Sequence, residues 1–390
     1  MIKPCDAAWL CVAAIWSAAT PAAIASVQIN SSTAAGLSPG FETEIAVDLD
    51  MLFAAGDLRA SRDDPIIDAR IRLASETVRD DGRRWGVRAG FAINSGDGRR
   101  GFSQLQLQGP VERGQALTGL ATGFTAARGL DAGSGRAAID RAELFLIGDF
   151  IEWRAGVGET AARSSDIRPT LALRLVRADG AISDLAGGGL ATTTLSLSAP
   201  APRIHVESRR LLGIAAAASF TPDAARCGVD QCRPGATGAV ASPDLDNIIS
   251  VAASFDRRSR QSGVRWRIHG GFERGAVSSP LASYEDPWIA TIEAAREADG
   301  LTLGVRGLRS NDGFKGDQYS AVSAMGAVER EDWLYSLELA YGESGVFDVD
   351  GASLALGASR LVGDSGLISL GYVGHDSGGA GVVAEIGLRF

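Results

Sequence analysis

From residue 41 onward, apolar and polar residues alternate along the chain. At the C-terminus Val382, Ala384, Ile386, Leu388 and Phe390 are apolar, and Val383, Glu385, Gly387 and Arg389 lie between them. A period of two puts every second side chain on the same side of an extended backbone, so this is a strand with one apolar and one polar face. The period returns in 264–273, where Val264, Trp266, Ile268 and Phe272 oppose Arg265, Arg267, His269 and Glu273. In 333–341, Trp333, Tyr335, Leu337, Leu339 and Tyr341 oppose Leu334, Ser336, Glu338 and Ala340. Ile67, Ala69, Ile71 and Leu73 oppose Asp68, Arg70 and Arg72, and Trp85, Val87, Ala89, Phe91 and Ile93 oppose Arg88 and its neighbouring glycines.

Sixteen strands can be marked: 41–53, 66–78, 83–94, 139–147, 150–158, 202–208, 211–221, 246–256, 263–273, 287–297, 301–310, 319–329, 332–343, 352–361, 366–375 and 381–390. Three further stretches, 101–108, 116–126 and 170–177, can each be read as a strand, and eighteen is the alternative count. Many of the strands reach about 9–12 residues, against about 5–6 for an average strand of a soluble sheet. About 9–11 tilted residues cross a bilayer. In lipid every backbone group must pair internally, so such a sheet must close. The connections alternate between short turns, such as Arg79–Gly82, Gly148–Asp149 and Arg330–Glu331, and longer loops rich in Gly, Pro and Asp. That is the layout of a transmembrane antiparallel β-barrel with short periplasmic turns and longer extracellular loops. A secreted or surface β-sandwich that binds a ligand and has no pore is the competing reading.

The first residues read as an address. Lys3 precedes the apolar run 7–19, Pro21 breaks it, and Ala23-Ile24-Ala25 is a small-residue cleavage site. A signal peptide at 1–25 and a mature chain of 26–390 beginning at Ser26 follow; a buried N-terminal helix is the alternative for 7–19. No later segment has the ~18 consecutive apolar residues of a membrane helix. Cys5 and Cys11 leave with the leader, so Cys227 and Cys232 remain, five apart in a Gly/Pro-rich stretch. In an oxidising compartment such a pair reads as a disulfide, and no His or third Cys lies near enough in sequence to complete a metal site. The net charge of −9 argues against a nucleic-acid partner. Lys occurs only at Lys3 and Lys315, so nearly all the positive charge is Arg, a planar donor that keeps its charge.

Four features together carry a family resemblance. The chain ends in Phe390 on an alternating strand. RAELFLIGDFIEWRAGVGETAA (141–162) has the form of a hairpin leading into an inward-folded loop. PRIHVESRRLLGIAAAASFTP (202–222) has the form of the hairpin after it. The last hundred residues repeat strand, short turn, strand and loop. In these respects the chain resembles the general porins of Gram-negative outer membranes, the trimeric sixteen-stranded kind. The resemblance implies a multi-pass β-barrel in outer-membrane lipid, with a water-filled channel for passive diffusion of small hydrophilic solutes and ions. It further implies a homotrimer, a loop at about 159–201 folded into the barrel, and no cofactor. It makes Phe390 the assembly signal by which the C-terminal strand engages the barrel-assembly machinery. Tyr numbers only 5, and Trp85, Trp153, Trp266, Trp288 and Trp333, at outward positions near strand ends, make a thin aromatic girdle.

Alternation places Arg70, Arg72, Arg88, Arg154, Arg265, Arg267 and Arg306 on the inner face, together with Glu44, Asp48, Glu152, Glu293, Glu338 and Glu385. Much of such a face is simply solvated. The resemblance implies a constriction in which Arg70, Arg72 and Arg88 stand opposite loop acids, beginning with Glu159 and Asp166. Arg154, Arg265, Arg267 and Arg306 would line the rest of the pore. The loop also holds Asp179 and Asp184, and Arg163, Arg168, Arg174 and Arg177, which leaves the sign of the ion preference open. His205, His269 and His375 are far apart, and neither G-x-S-x-G nor H-E-x-x-H occurs, so the chain does not read as an enzyme. A membrane hydrolase using one of these histidines is the remaining enzymatic reading. Asp348-Val349-Asp350-Gly351 reads as a turn, with calcium binding as the sharper alternative.

Overall fold

The structure is a computed structural model. It describes residues 42–56, 65–95, 108–126, 136–167, 170–179, 190–230, 233, 236–237, 239–278, 283–316, 318–376 and 379–390. The expected leader (1–25), Arg168, Asp184 and Cys232 lie outside the described residues. The strands are β1 Glu42–Gly56, β2 Ile66–Val78, β3 Arg84–Asn94, β4 Val111–Glu112, β5 Gln115–Leu117, β6 Arg136–Ile147, β7 Ile151–Gly158, β8 Ala201–Ser208, β9 Ile214–Asp223 and β10 Val240–Ala241. They continue with β11 Leu245–Arg258, β12 Arg265–Val277, β13 Trp288–Ala298, β14 Leu301–Ser310, β15 Tyr319–Arg330, β16 Trp333–Ser344, β17 Val349–Val362, β18 Gly366–His375 and β19 Gly379–Arg389. A single helical turn, α1 (Ala161–Ser164), follows β7 and is capped by Thr160.

Sixteen strands close into one antiparallel barrel in the order β1, β2, β3, β6, β7, β8, β9, β11 and then β12 to β19, which returns to β1. Closure runs from Asp48↔Arg389 to Gly56↔Gly381. Phe390 extends it by one residue, exchanging both backbone hydrogen bonds with Val47 at 2.9 and 3.0 Å. A closed barrel leaves no edge to pair with another chain, and it excludes the two-sheet sandwich. The polarity of the wall is the reverse of a soluble protein's. Outward Leu144 and Ile292 are 60% and 65% exposed, whereas inward Glu293 and Glu338 are 3% and 2% exposed. A belt of exposed Leu, Ile, Val and aromatic side chains around every strand pair matches a hydrocarbon surrounding. Trp85, Trp153, Trp266 and Trp333 are exposed near the short turns.

The sixteen sequence-marked segments correspond to these sixteen barrel strands. The tightest hairpins follow turn chemistry: Asp299 and Gly300 have φ of 49° and 77°, the pair of positive values that a two-residue turn between right-twisted strands requires. Eighteen strands are not present. Of the three extra candidates, 101–108 lies outside the described residues except for Gln108, which is in no strand. Within 116–126 only Ala116 and Leu117 are in a strand, β5, which joins β4 and β10 in a separate three-stranded sheet. Residues 170–177 form no strand, although Leu171, Leu173 and Leu175 alternate. These leucines are buried: Leu173 and Leu175 pack with Ala340, Ala355, Val373 and Val383, and Leu171 packs with Met325 and Ala327. Their period of two therefore reports burial against the wall, not pairing within it.

A second apolar core sits at the loop end. Leu117, Leu120 and Phe124, from the connection between β3 and β6, pack on Tyr284, Phe314, Tyr319 and Phe347. Phe124 meets Tyr319 and Phe347 edge-on, with ring centroids 5.8 and 6.0 Å apart. The segment 108–126 thus folds over its own barrel's loop end.

Candidate functional site

The connection between β7 and β8 is where the inner face is most used. Its polar backbone bonds to wall side chains on strand after strand. Ala161 N donates to Ser219 Oγ on β9, and Ala162 N to Ser250 Oγ on β11, both at 2.9 Å. Glu273 on β12 holds both ends of the segment: it accepts from Thr160 Oγ1, from Ser196 Oγ at 3.1 Å and from Leu197 N at 2.8 Å. Glu293 on β13 accepts from Ile167 N at 2.7 Å. On β16, Ser336 Oγ accepts from Ala172 N at 2.9 Å, and Glu338 accepts from Ala178 N at 2.8 Å and from Arg177 Nη2 at 2.7 Å. Glu385 on β19 accepts from three successive amides, Arg174, Leu175 and Val176, at 2.7, 3.0 and 3.2 Å. The opposite face of these strands is the exposed apolar belt, so the segment lies inside the barrel.

This assigns a job to acids that alternation alone left as a polar face. Glu273, Glu293, Glu338 and Glu385 are all buried; each accepts hydrogen bonds from loop amides, and Glu293 and Glu338 also pair with Arg306 and Arg177. A buried carboxylate needs such partners, because unsatisfied burial is costly. Close approach of the loop backbone also needs room. A Cβ on Gly342 would stand 2.4 Å from the Leu190 carbonyl oxygen, so only glycine fits that point of β16.

The rest of the wall, from β1 to β9, carries arginines in ion pairs. Arg70 bonds Asp68 at 2.8 Å and Asp230 at 2.5 Å. Arg72 pairs with Asp48. Arg88 bonds Glu152 at 2.8 Å and lies 4.2 Å above the Phe145 ring. Arg154 bridges Glu152 and Glu207 at 2.7 and 2.6 Å. Farther round, Arg265 grips Asp256 at 2.7 and 2.5 Å, Arg267 pairs with Glu297, and Arg306 holds Glu293 at 3.0 Å. The structure thus places Arg70, Arg72 and Arg88 on adjacent strands, β2 and β3. Their contacts are wall acids and Asp230, whereas Glu159 and Asp166 face Arg163, at 3.9 and 3.4 Å. Asp230, from the connection between β9 and β11, acts on both Arg70 and Arg163 and so links the two sets. Asp48, Asp68 and Asp230 were missing from the sequence account of the constriction. The first two are legible in retrospect, as cross-strand or i, i+2 neighbours on the same face.

Below the loop, at the short-turn end, is a cavity of about 730 Å³ bordered by the charged Arg174, Arg265, Arg267, Glu297 and Arg389 and by the apolar Leu171 and Leu334. Above it, the 108–126 cover is held by Asp312. This carboxylate is fully buried and accepts from Ala121 N at 2.7 Å, Thr122 N at 2.9 Å and Thr122 Oγ1 at 2.6 Å. Burial pushes its pKa up to about 6, against these hydrogen bonds and the Arg233 charge. Cys227 is disulfide-bonded. His205, His269 and His375 stand on β8, β12 and β18, no two of which are neighbours in the barrel.

No family model and no curated protein matches the chain. Solved structures do match. OmpF of Salmonella typhi in complex with daunomycin has a TM-score of 0.61 at 7% identity, over 90% of this chain and 98% of that one. The anion-selective porin of Comamonas acidovorans gives 0.52 at 13% identity, and the trimer form of Vibrio cholerae OmpT gives 0.53 at 10%; each match covers 90% of this chain and 100% of the other. At these identities the likeness is one of fold: this chain has the closed sixteen-stranded fold of the general porins.

Proposed function

We propose that the chain is an outer-membrane porin of a Gram-negative bacterium, a water-filled channel for passive diffusion of small hydrophilic solutes and ions. The observation that carries this reading is the connection between β7 and β8, whose described parts (160–167, 170–179 and 190–199) are tied by their backbone to inner-face side chains from β9 round to β19. A loop pressed against that part of the wall leaves the water path beside the opposite part, where Arg70, Arg72 and Arg88 stand. The constriction is then formed by these arginines with Asp48, Asp68 and Glu152 on the wall, and by Asp230, Glu159 and Arg163 facing them, with Asp166 behind Arg163 against β12 and β13. Fixed opposite charges across a narrow water path order the water and favour polar solutes over apolar ones. Arg154, Arg265 and Arg267 line the wider path toward the short turns, and Arg306 ties the loop to the wall. Passage of this kind needs no cofactor and no catalysis.

The same reading makes the protein a homotrimer exported through the 1–25 leader. Phe390 is its assembly signal to the barrel-assembly machinery, and a Cys227–Cys232 disulfide stiffens an outer loop. Planar-bilayer recording on the purified mature protein is the test. Stepwise conductance with a finite reversal potential under a salt gradient is expected. Insertion without any conductance would overturn the reading.

A further inference from the structure

Asp166, His269 and Glu293 meet where the loop touches the wall. His269 on β12 and Glu293 on β13 are directly opposed cross-strand neighbours. Asp166 is delivered to them by the next residue, since Ile167 N donates to Glu293 Oε2 at 2.7 Å and Arg306 donates to the Ile167 carbonyl. One candidate ligand atom from each of the three lies within 4.8 Å of the other two. The imidazole is fully buried, and neither Nδ1 nor Nε2 has a hydrogen-bond partner. A buried ring with both nitrogens unpaired is an unmet demand, because imidazole carries a donor and an acceptor even when neutral. Asp166 Oδ1 is 4.0 Å from His269 Nδ1. That is too long for a hydrogen bond and is within the span of two ligands each about 2 Å from one ion.

We propose that Asp166, His269 and Glu293 bind a divalent first-row transition ion of the zinc type, with water completing the coordination. The donor set decides the class. One imidazole and two carboxylates suit Zn²⁺ or Co²⁺, whereas Ca²⁺ takes six to eight oxygens and Mg²⁺ six. The second oxygens are already oriented: Arg306 Nε holds Glu293 Oε1 at 3.0 Å, and Arg163 Nη1 lies 3.4 Å from Asp166 Oδ2. Contacts of this kind fix ligand geometry. Here they also bring two positive charges close, which favours moderate over very tight affinity. A cavity of about 10 Å³ bordered by Asp166, Ala162, Gly271 and Thr291 adjoins the cluster, about the room one water needs. Because Asp166 belongs to the loop and the other two to the wall, a bound ion would pin the loop to β12 and β13. The site stands on its own geometry and does not depend on the channel reading.

The experiment uses tag-free, folded mature protein in detergent, stripped with EDTA and titrated with Co²⁺. The expected result is a saturable visible d–d spectrum at one ion per chain, displaced by Zn²⁺. His269→Ala and Asp166→Asn should each abolish the spectrum or weaken binding by at least about tenfold. Asp166 is on the loop, so its variant keeps the test alive if the β12 change impairs folding. No saturable spectrum in the folded wild type, or an undiminished spectrum in the folded variants, would overturn the assignment. Since the readout is spectroscopic, a channel without the metal and a metal site without a channel give different results.

Discussion

Asp312 shows how one residue can carry a condition. Its carboxylate accepts from Ala121 and Thr122 of the 108–126 segment, and the Arg233 charge acts on it from the neighbouring connection. Its folded value near 6 stands above the ordinary 3.8, so the closed cover binds a proton more readily than an opened one. The contribution is therefore fullest below about pH 4, declines as the pH rises toward 6 and is gone above it, a range of at most about 3 kcal/mol. Hydrogen exchange at Ala121 and Thr122, corrected for intrinsic rates, should show protection falling between about pH 4 and pH 7. In Asp312→Asn that slope should vanish; an unchanged slope would assign the titration to another group. Nothing local in the sequence marks Asp312, because its partners lie some 190 residues away. The arginines of the wall were legible, since alternation fixes their face. Their acid partners were only half legible, since pairing depends on register across strands and, for Asp230, on a loop's path.

At the scale of elements, strands and loop differ in what specifies them. A barrel strand is written locally, in its own alternation and its turn residues, so all sixteen could be marked from sequence, β17 and β18 as clearly as β19. The 159–201 loop is written in the wall. Glu338 is a single acid on an otherwise small or apolar inner face, whereas Glu273 shares its face with Arg265, Arg267 and His269 and Glu385 shares its face with Arg389; the purpose of all three appears only when the loop amides are seen against them. That is also why Leu171, Leu173 and Leu175 mislead: a period of two arises equally from pairing in a sheet and from lying flat on one. Glu273 gives the sharpest test, since it clamps both ends of the loop. Glu273→Ala leaves Thr160, Ser196 and Leu197 without their shared acceptor, a loss of roughly 2–4 kcal/mol in loop attachment. Single-channel records should then show larger conductance and more open-channel noise, while the temperature of barrel unfolding changes little. Quiet openings of wild-type size would mean that Glu273 does not hold the constriction in place.

At the scale of the whole molecule, closure and charge are separable. Closure depends on β1 meeting β19, and Phe390 adds the last pair of hydrogen bonds to that seam. Deleting Phe390 should lower the amount of protein recovered in the membrane and leave the conductance of each surviving channel unchanged, as membrane fractionation and bilayer recording can establish. Charge depends on the balance at the proposed constriction. Arg70, Arg72 and Arg88 are each matched by acids, so the wall is near neutral there and the field runs locally between partners. Replacing all three by neutral residues of similar size removes three positive charges and takes from Asp68 its arginine, while Glu152 keeps Arg154, Asp48 keeps Arg389 and Asp230 still acts on Arg163. The wall there passes from near neutral to net negative. In a narrow path bounded by protein such charges are screened less than on an open surface, where the Debye length is about 10 Å at 0.1 M salt. The reversal potential should therefore move toward cations, most at low salt. Replacing Glu159 and Asp166 should move it the other way and by less, since Arg163 already offsets both. Equal selectivity in the wild type and both variants would place the constriction at another part of the barrel, with the 108–126 cover the next segment to test.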